Sequence, residues 1–283
     1  MAVCYARTAN GGVYPVVWEH APMPHVVAND NTFHYLEEGD GPVALFIHGF
    51  PFDATMWREV MDDLGGLRRC IAVDLRGFGG TGRSIRPALT MEDHADDLAV
   101  FLDKTSVVAG VDLVGLSMGG YVALAFAQRY PDRVRSIALL DTKATPDSDE
   151  AKAGRDAAAL RVVQDGRSPF ATTLIQALVS DQAPTWVRGR LRTMIEATPT
   201  ETMVAALEGM KHRADRTQVL AHTQVPVAVI VGEHDRLASL ADAQHMVEAA
   251  GATLTVIPEA GHVTPIEQPA AVVSALRALW LKE

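Results

Sequence analysis

The chain has 283 residues, 48% of them hydrophobic, and a formal charge of −10 at pH 7. This supports a large buried core in one or two domains, and the acidic balance argues against a nucleic-acid or anionic-membrane partner. Cys4 and Cys70 form no disulfide framework or metal-ligand spacing, no run of about 20 apolar residues suggests a membrane span, and the N-terminus lacks a basic start followed by a long apolar run, so a cytoplasmic protein is expected.

Residues 1–24 read as an N-terminal extension. Residues 25–38, "HVVANDNTFHYLEE", carry β-prone runs around the turn-forming "NDN" and predict a hairpin. Apolar runs follow at 43–50 ("VALFIHGF"), 70–80 ("CIAVDLRGFGG"), 111–117, 134–141, 225–235 and 252–262. They are unalternating, the mark of parallel strands buried on both faces, and Cys70 reads as one such strand residue. Helical patterns lie between and after them at 55–64, 91–104, 118–130, 239–250 and 267–281. Alternating strands and helices mean an α/β fold with a mostly parallel central sheet flanked by helices.

One segment breaks the rhythm. From 146 to 215 no strand pattern is found. Helical pieces occur near 148–165, 169–180, 184–197 and 200–211, punctuated by Pro169, Pro184 and Pro199. The expected organisation is a core of 25–145 and 216–283, with 146–215 as an inserted helical cap over the C-terminal ends of the strands. That edge is where open α/β sheets bind ligands.

"VDLVGLSMGG" places Gly115, Ser117 and Gly119 as G-x-S-x-G between a strand and a helix. Small flanking residues allow a sharp turn that presents the Ser117 hydroxyl above the sheet. The helix N-terminus there favours negative charge. A serine hydroxyl needs a base, usually a histidine held by a carboxylate. His262 ends "VIPEAGH", a strand followed by a loop late in the chain, and is the expected base. Asp235, after "VAVIVGEH", is the expected acid, with Asp141 after "SIALL" as the rival. Glu233 and His234 are assigned to shaping the acid's loop. Two backbone N–H groups are expected to hold an oxyanion, those of Met118 and of Phe50 in "HGF". His48 is expected to tie that loop in place.

The pieces "HGFP" (48–51), "DLRGFGGTG" (74–82), "GLSMGG" (115–120), "VGEHD" (231–235) and "AGHVTPIEQP" (260–269) together resemble the α/β-hydrolase superfamily over roughly residues 25–283. "HGFPFDATMW" and the modest cap are similar to bacterial carboxylesterases, oxoadipate enol-lactonases and cofactor-free perhydrolases. The resemblance implies a serine hydrolase that cleaves an ester, thioester or lactone of a small molecule through an acyl-enzyme. The alternatives are a C–C bond hydrolase or perhydrolase on the same triad and, in a different class, a small-ligand signalling receptor. Haloalkane dehalogenases and most epoxide hydrolases of this fold carry an aspartate nucleophile, which Ser117 argues against.

No closely spaced His/Cys/Asp cluster suggests zinc and no G-x-G-x-x-G follows the first parallel strand, so neither a metal nor an organic cofactor is expected. Trp57, Trp186, Met203 and Val263 are the candidate substrate contacts, with Met194 and Met210 as further cap residues. The same side chains could simply pack the cap or anchor a helix. Lys143, Arg188 and Arg192 offer cations that the sequence does not orient. It gives no oligomeric state.

Overall fold

A computed structural model describes residues 3–7, 13–17, 23–82 and 86–281. In chain order the elements are β1 (Val3–Arg7), β2 (Val13–Val17), β3 (His25–Ala28), β4 (Asn31–Glu38), β5 (Val43–Ile47), α1 (Arg58–Leu64), β6 (Arg69–Val73), α2 (Met91–Lys104), β7 (Val111–Leu116), α3 (Met118–Arg129) and β8 (Val134–Leu140). Then come α4 (Asp149–Gln164), α5 (Arg167–Leu178), α6 (Thr185–Ala197), α7 (Thr200–Lys211) and α8 (Thr217–His222), followed by β9 (Val227–Gly232), α9 (Leu240–Ala250), β10 (Thr253–Ile257), α10 (Thr264–Glu267) and α11 (Pro269–Trp280).

The main sheet has eight strands in the order β10-β9-β8-β7-β5-β6-β4-β3. Strands β5 to β10 pair in parallel, and β3 and β4 add an antiparallel edge. Every residue of β5, β7 and β9 is buried, as strands covered on both faces require. Successive side chains point to opposite faces. Leu45 and Ile47 therefore join one apolar layer, with Leu98, Phe101, Val122, Phe126 and Met246. Ala44 and Phe46 join the other, with Met61, Leu276 and Trp280. Buried Cys70 belongs to that second layer. The β3–β4 turn is Asn29-Asp30, both at positive φ (45° and 59°), the conformation a two-residue hairpin needs. The separate pair β1–β2 is antiparallel, with Val3 opposite Val17. It falls in the expected extension, much of which lies outside the described residues.

Helix ends follow local chemistry. Thr90 and Asp93 form a capping box at α2, and Ser239 and Asp242 form one at α9, each satisfying orphan N–H groups. The pattern read at 55–64 resolves into a 3₁₀ turn at Ala54–Trp57 followed by α1. The one at 267–281 is split by Pro269 into α10 and α11, because proline lacks the N–H that a continuous helix would use. Between β8 and β9 the chain runs through five helices, α4 to α8.

The inserted helices are fastened to the strand-end loops. The Thr198 hydroxyl donates to the Pro51 carbonyl at 3.1 Å and the Thr202 hydroxyl to that of Gly77 at 3.1 Å. Arg190 donates to Glu59 and to the Thr55 carbonyl. Val187, Leu191, Met194, Ile195 and Met203 continue the apolar layer that contains Phe52 and Trp57.

Candidate active site

The strand β7, Ser117 and helix α3 form one sharp corner. Ser117 has φ 52° and ψ −115°, a strained conformation for a residue with a Cβ. It is held there because its N–H donates to the Leu140 carbonyl at 2.9 Å and its carbonyl accepts from the Thr142 hydroxyl at 2.7 Å. The corner also explains its glycines. A Cβ on Gly115 would lie 2.4 Å from the Gly119 carbonyl oxygen, and one on Gly119 would lie 2.1 Å from that of Ile47. The backbones can approach this closely only without side chains.

Three side chains meet at this corner. His262 Nε2 lies 2.8 Å from Ser117 Oγ, and His262 Nδ1 lies 2.8 and 3.0 Å from the Asp235 oxygens. A carboxylate can only accept, so Nδ1 carries the proton and Nε2 is left to accept from the serine. Asp235 Oδ1 also accepts from the Leu237 and Ala238 N–H groups at 2.7 and 3.0 Å, which fixes the carboxylate. Desolvation of the buried ring disfavours the His262 cation. The charge and hydrogen bond of Asp235, with the charge of Asp141 behind them, outweigh it and hold its pKa above the ordinary histidine value.

Asp141, the rival acid, does not touch the imidazole ring through a hydrogen bond. It is buried, with Oδ1 accepting from the Gly232 N–H at 2.8 Å and Oδ2 from the Thr264 hydroxyl at 2.6 Å and N–H at 3.4 Å. It thus joins the end of the strand leading to Asp235 to the loop after His262. Burial, with the Asp235 charge nearby, pushes its pKa up to about 7. Glu267 is a second clamp: its oxygens accept from the N–H groups of Gly261 and Ser180, both at 2.9 Å. Neither Asp141's clamp nor Glu267 was singled out by the sequence, although Asp141 ends a strand run and Glu267 lies in the "AGHVTPIEQP" segment that it flagged. Glu233 accepts from the Glu259 N–H at 3.0 Å, a loop contact away from the imidazole.

The Phe50 and Met118 N–H groups donate to no acceptor among the described residues, which leaves both free for a ligand. The Phe50 loop is secured from below by His48, fully buried. Its Nε2 accepts from the Leu75 N–H at 3.0 Å, so Nδ1 is the protonated nitrogen and donates to the Gly49 carbonyl at 2.8 Å. Burial pushes the His48 pKa down to about 4, which keeps the ring neutral and this tautomer in place. Asp74, buried under the same loop, accepts from the N–H groups of Ala54 and Gly80 at 2.7 and 2.8 Å.

The triad opens into a cavity of ≈ 400 Å³ walled by both the sheet edge and the inserted helices. Its apolar lining includes Phe50, Phe170, Leu174, Leu178, Leu207 and Met210, and its charged lining Lys143, Asp147, Arg155, Arg161 and Asp165. The four candidate substrate contacts are corrected by this geometry. Trp57 is buried against Phe46, ring centroids 5.2 Å apart, and anchors the loop instead. Trp186 points outward at 56% exposure. Met203 and Val263 are fully buried in the apolar layer. None of the four lines the cavity. Helical spacing identifies an apolar face but does not tell a pocket wall from a packed core. Met210 does line it, whereas Met194 packs in the core. Of the three cations, Lys143 lines the cavity, while Arg188 donates to the Ser180 carbonyl and Arg192 to Glu196 and Thr172 outside it. Among the described residues no group of three or more His, Cys, Asp or Glu side chains could hold a metal ion, and no helix is long and apolar enough to cross a membrane.

The eight-stranded, mostly parallel sheet flanked by helices is an α/β-hydrolase architecture. The sequence pattern of the α/β-hydrolase fold family matches residues 42–269, and the chain belongs to that family. A thermophilic esterase from Thermogutta terrifontis, solved with malate bound, is 37% identical, superposes with a TM-score of 0.86, and is matched over 93% of this chain and 98% of that one. The 3-oxoadipate enol-lactonase 2 of Acinetobacter baylyi is 25% identical over 260 residues, 90% of this chain and 95% of the relative. A cis-3-alkyl-4-alkyloxetan-2-one decarboxylase of Shewanella oneidensis is 30% identical over only 118 residues, 41% of this chain. The chain spans about a third of the length of that relative and of the dehalogenases and epoxide hydrolase it also matches.

Proposed function

We propose that the protein is a serine hydrolase that cleaves an ester, thioester or lactone of a small molecule through an acyl-enzyme. The reading rests on the Ser117–His262–Asp235 chain of hydrogen bonds, 2.8 Å at each link, opening into the cavity. Ser117 Oγ attacks the carbonyl carbon as His262 Nε2 takes its proton, and Asp235 stabilises the resulting imidazolium. The negative charge on the carbonyl oxygen is received by the Phe50 and Met118 N–H groups, which have no acceptor among the described residues. His262 then protonates the leaving oxygen or sulfur. A water deprotonated by the same nitrogen attacks the acyl carbon, and as the bond to Ser117 Oγ breaks, His262 returns that proton to the oxygen, releasing the free acid. No step calls for a metal or organic cofactor.

In this reading residues 25–145 and 216–283 form the catalytic core and 146–215 the cap. The cap's contribution is the apolar wall of Phe170, Leu174, Leu178, Leu207 and Met210, which excludes water and strengthens the electrostatics at the reacting carbonyl. The test is fluorophosphonate labelling with a panel of aryl esters, thioesters and lactones, on wild type and Ser117→Ala. Labelling and turnover are expected in wild type and absent in a folded Ser117→Ala protein. Undiminished turnover in Ser117→Ala would place the nucleophile elsewhere.

A further inference from the structure

The charged lining of the cavity is not neutral in its readiness to bind. Asp147 is buried and already saturated: it accepts from Arg155 Nε at 2.9 Å and from Arg213 at 2.6 Å. The Asp147 carboxylate is thus paired with two guanidinium groups. Lys143 is different. It follows Asp141 and Thr142 at the end of β8, and it lines the cavity together with Ser117 and His262. Its ion-pair partner is Asp242, 3.6 Å away, beyond hydrogen-bond length. Asp242 Oδ2 is engaged elsewhere, accepting from the Ser239 N–H at 2.9 Å and hydroxyl at 2.7 Å in the α9 capping box. The ammonium is thus held near the triad with its three donors not spent on a short bond. Its charge is close enough to His262 to work against the imidazolium. Arg161, on the same cavity wall, has no ion-pair partner among the described residues, and Asp165 at the end of α4 lines the cavity as well.

We propose that Lys143 receives a carboxylate carried by the substrate, so that the preferred substrates are small esters or lactones bearing a second, anionic group. The inference rests on the hydrolase reading above and deepens it. Lys143 lines the same cavity as Ser117 and His262, and an ammonium there is complementary to a carboxylate on the substrate. The long Lys143–Asp242 contact lets the ammonium turn to the ligand at little cost, because Asp242 keeps its cap bonds. The apolar wall then takes the carbon chain between the reacting carbonyl and the carboxylate. A charge-assisted hydrogen bond of this kind is worth about one to two orders of magnitude in affinity.

Two substrates that differ only in that charge provide the test: mono-4-nitrophenyl adipate and its neutral methyl ester. The ratio of their kcat/KM values is measured in wild type, Lys143→Gln, Lys143→Arg and the surface control Lys104→Gln. The acid is expected to be favoured at least tenfold, chiefly through KM. That preference is expected to vanish in Lys143→Gln, to return in part in Lys143→Arg and to persist in Lys104→Gln. A second arm needs no turnover: monomethyl adipate and dimethyl adipate are titrated calorimetrically into Ser117→Ala, with and without Lys143→Gln. Tighter binding of the monoanion that depends on Lys143 supports the inference even if wild type hydrolyses neither ester, in which case only the hydrolase reading fails. Equal binding of the two, or a preference that survives Lys143→Gln, overturns it.

Discussion

Replacing Asp235 by Asn should cripple turnover while Asp141→Asn should not, and the structure supplies the reason atom by atom. Asp235 Oδ1 is tied to two backbone N–H groups, at 2.7 and 3.0 Å, as well as to the imidazole. In Asp235→Asn the single amide oxygen is retained by those two donors. The NH₂ group then occupies the Oδ2 position, 2.8 Å from His262 Nδ1. Nδ1 must become an acceptor, the proton moves to Nε2, and Ser117 loses its base. The expected loss is about 10⁴ in kcat, the size seen when a serine-protease triad acid is treated the same way. In Asp141→Asn the amide oxygen stays on the Gly232 N–H, and the Thr264 hydroxyl can rotate to accept from the NH₂. Only the long 3.4 Å bond from the Thr264 N–H is given up. That costs about 1 kcal/mol of stability, and roughly tenfold or less in kcat. The pH profile adds an independent readout. His262 must be neutral to act, and its pKa is raised, so activity climbs through a midpoint above the ordinary histidine value. Removing the Asp235 charge lowers that midpoint. The assay is kcat on one aryl ester across neutral pH, with folding checked by circular dichroism. An active Asp235→Asn beside a crippled Asp141→Asn would refute the assignment of the acid.

Gly119→Ala should lower Tm by the equivalent of about 3 kcal/mol or more, because its Cβ would lie 2.1 Å from a backbone oxygen; Gly189→Ala, with open space at its Cβ, should stabilise by up to about 1 kcal/mol, and equal melting points would contradict the packing argument. His94 is buried with both ring nitrogens unpartnered among the described residues, and burial pushes its pKa down to about 3. The unfolded chain therefore takes up the proton first as pH falls from about 6.5, and the His94 contribution costs stability progressively from there towards about 3. His94→Leu should raise Tm, by more in mildly acidic buffer than at neutral pH; a gain that does not grow with acidity would show that the ring has a partner. Exhaustive chelation should leave ester hydrolysis unchanged, and a loss restored by added metal would overturn the metal-free mechanism.

The architecture was legible because its signals are local. Unalternating runs such as "VALFI" and "VAVIVG" can be satisfied only by burial on both faces. The Gly115–Ser117–Gly119 corner is fixed by short-range sterics, and the inserted helices announce themselves through period and proline punctuation. The same locality explains why Ser117, His262 and Asp235 could be named as candidates: each ends or follows a strand run, and parallel strands deliver their ends to one edge. Distances across that edge are a different matter. Asp141 and Asp235 both follow apolar strand runs and chain order favours Asp235, but the packing of β8 beside β9 is what sends one carboxylate to Gly232 and Thr264 and the other to the imidazole. Pocket walls were still less legible. Trp57 and Met203 sit in apolar helical patterns like those of Leu207 and Met210, yet the first two turn into the core and the latter two into the cavity. That choice depends on the rotation of each helix against neighbours distant in sequence. Lys143 was one cation among several until the fold put Arg188 and Arg192 against carbonyl and carboxylate partners outside the cavity. It left the Lys143 ammonium beside Ser117, with a partner too far away to occupy it.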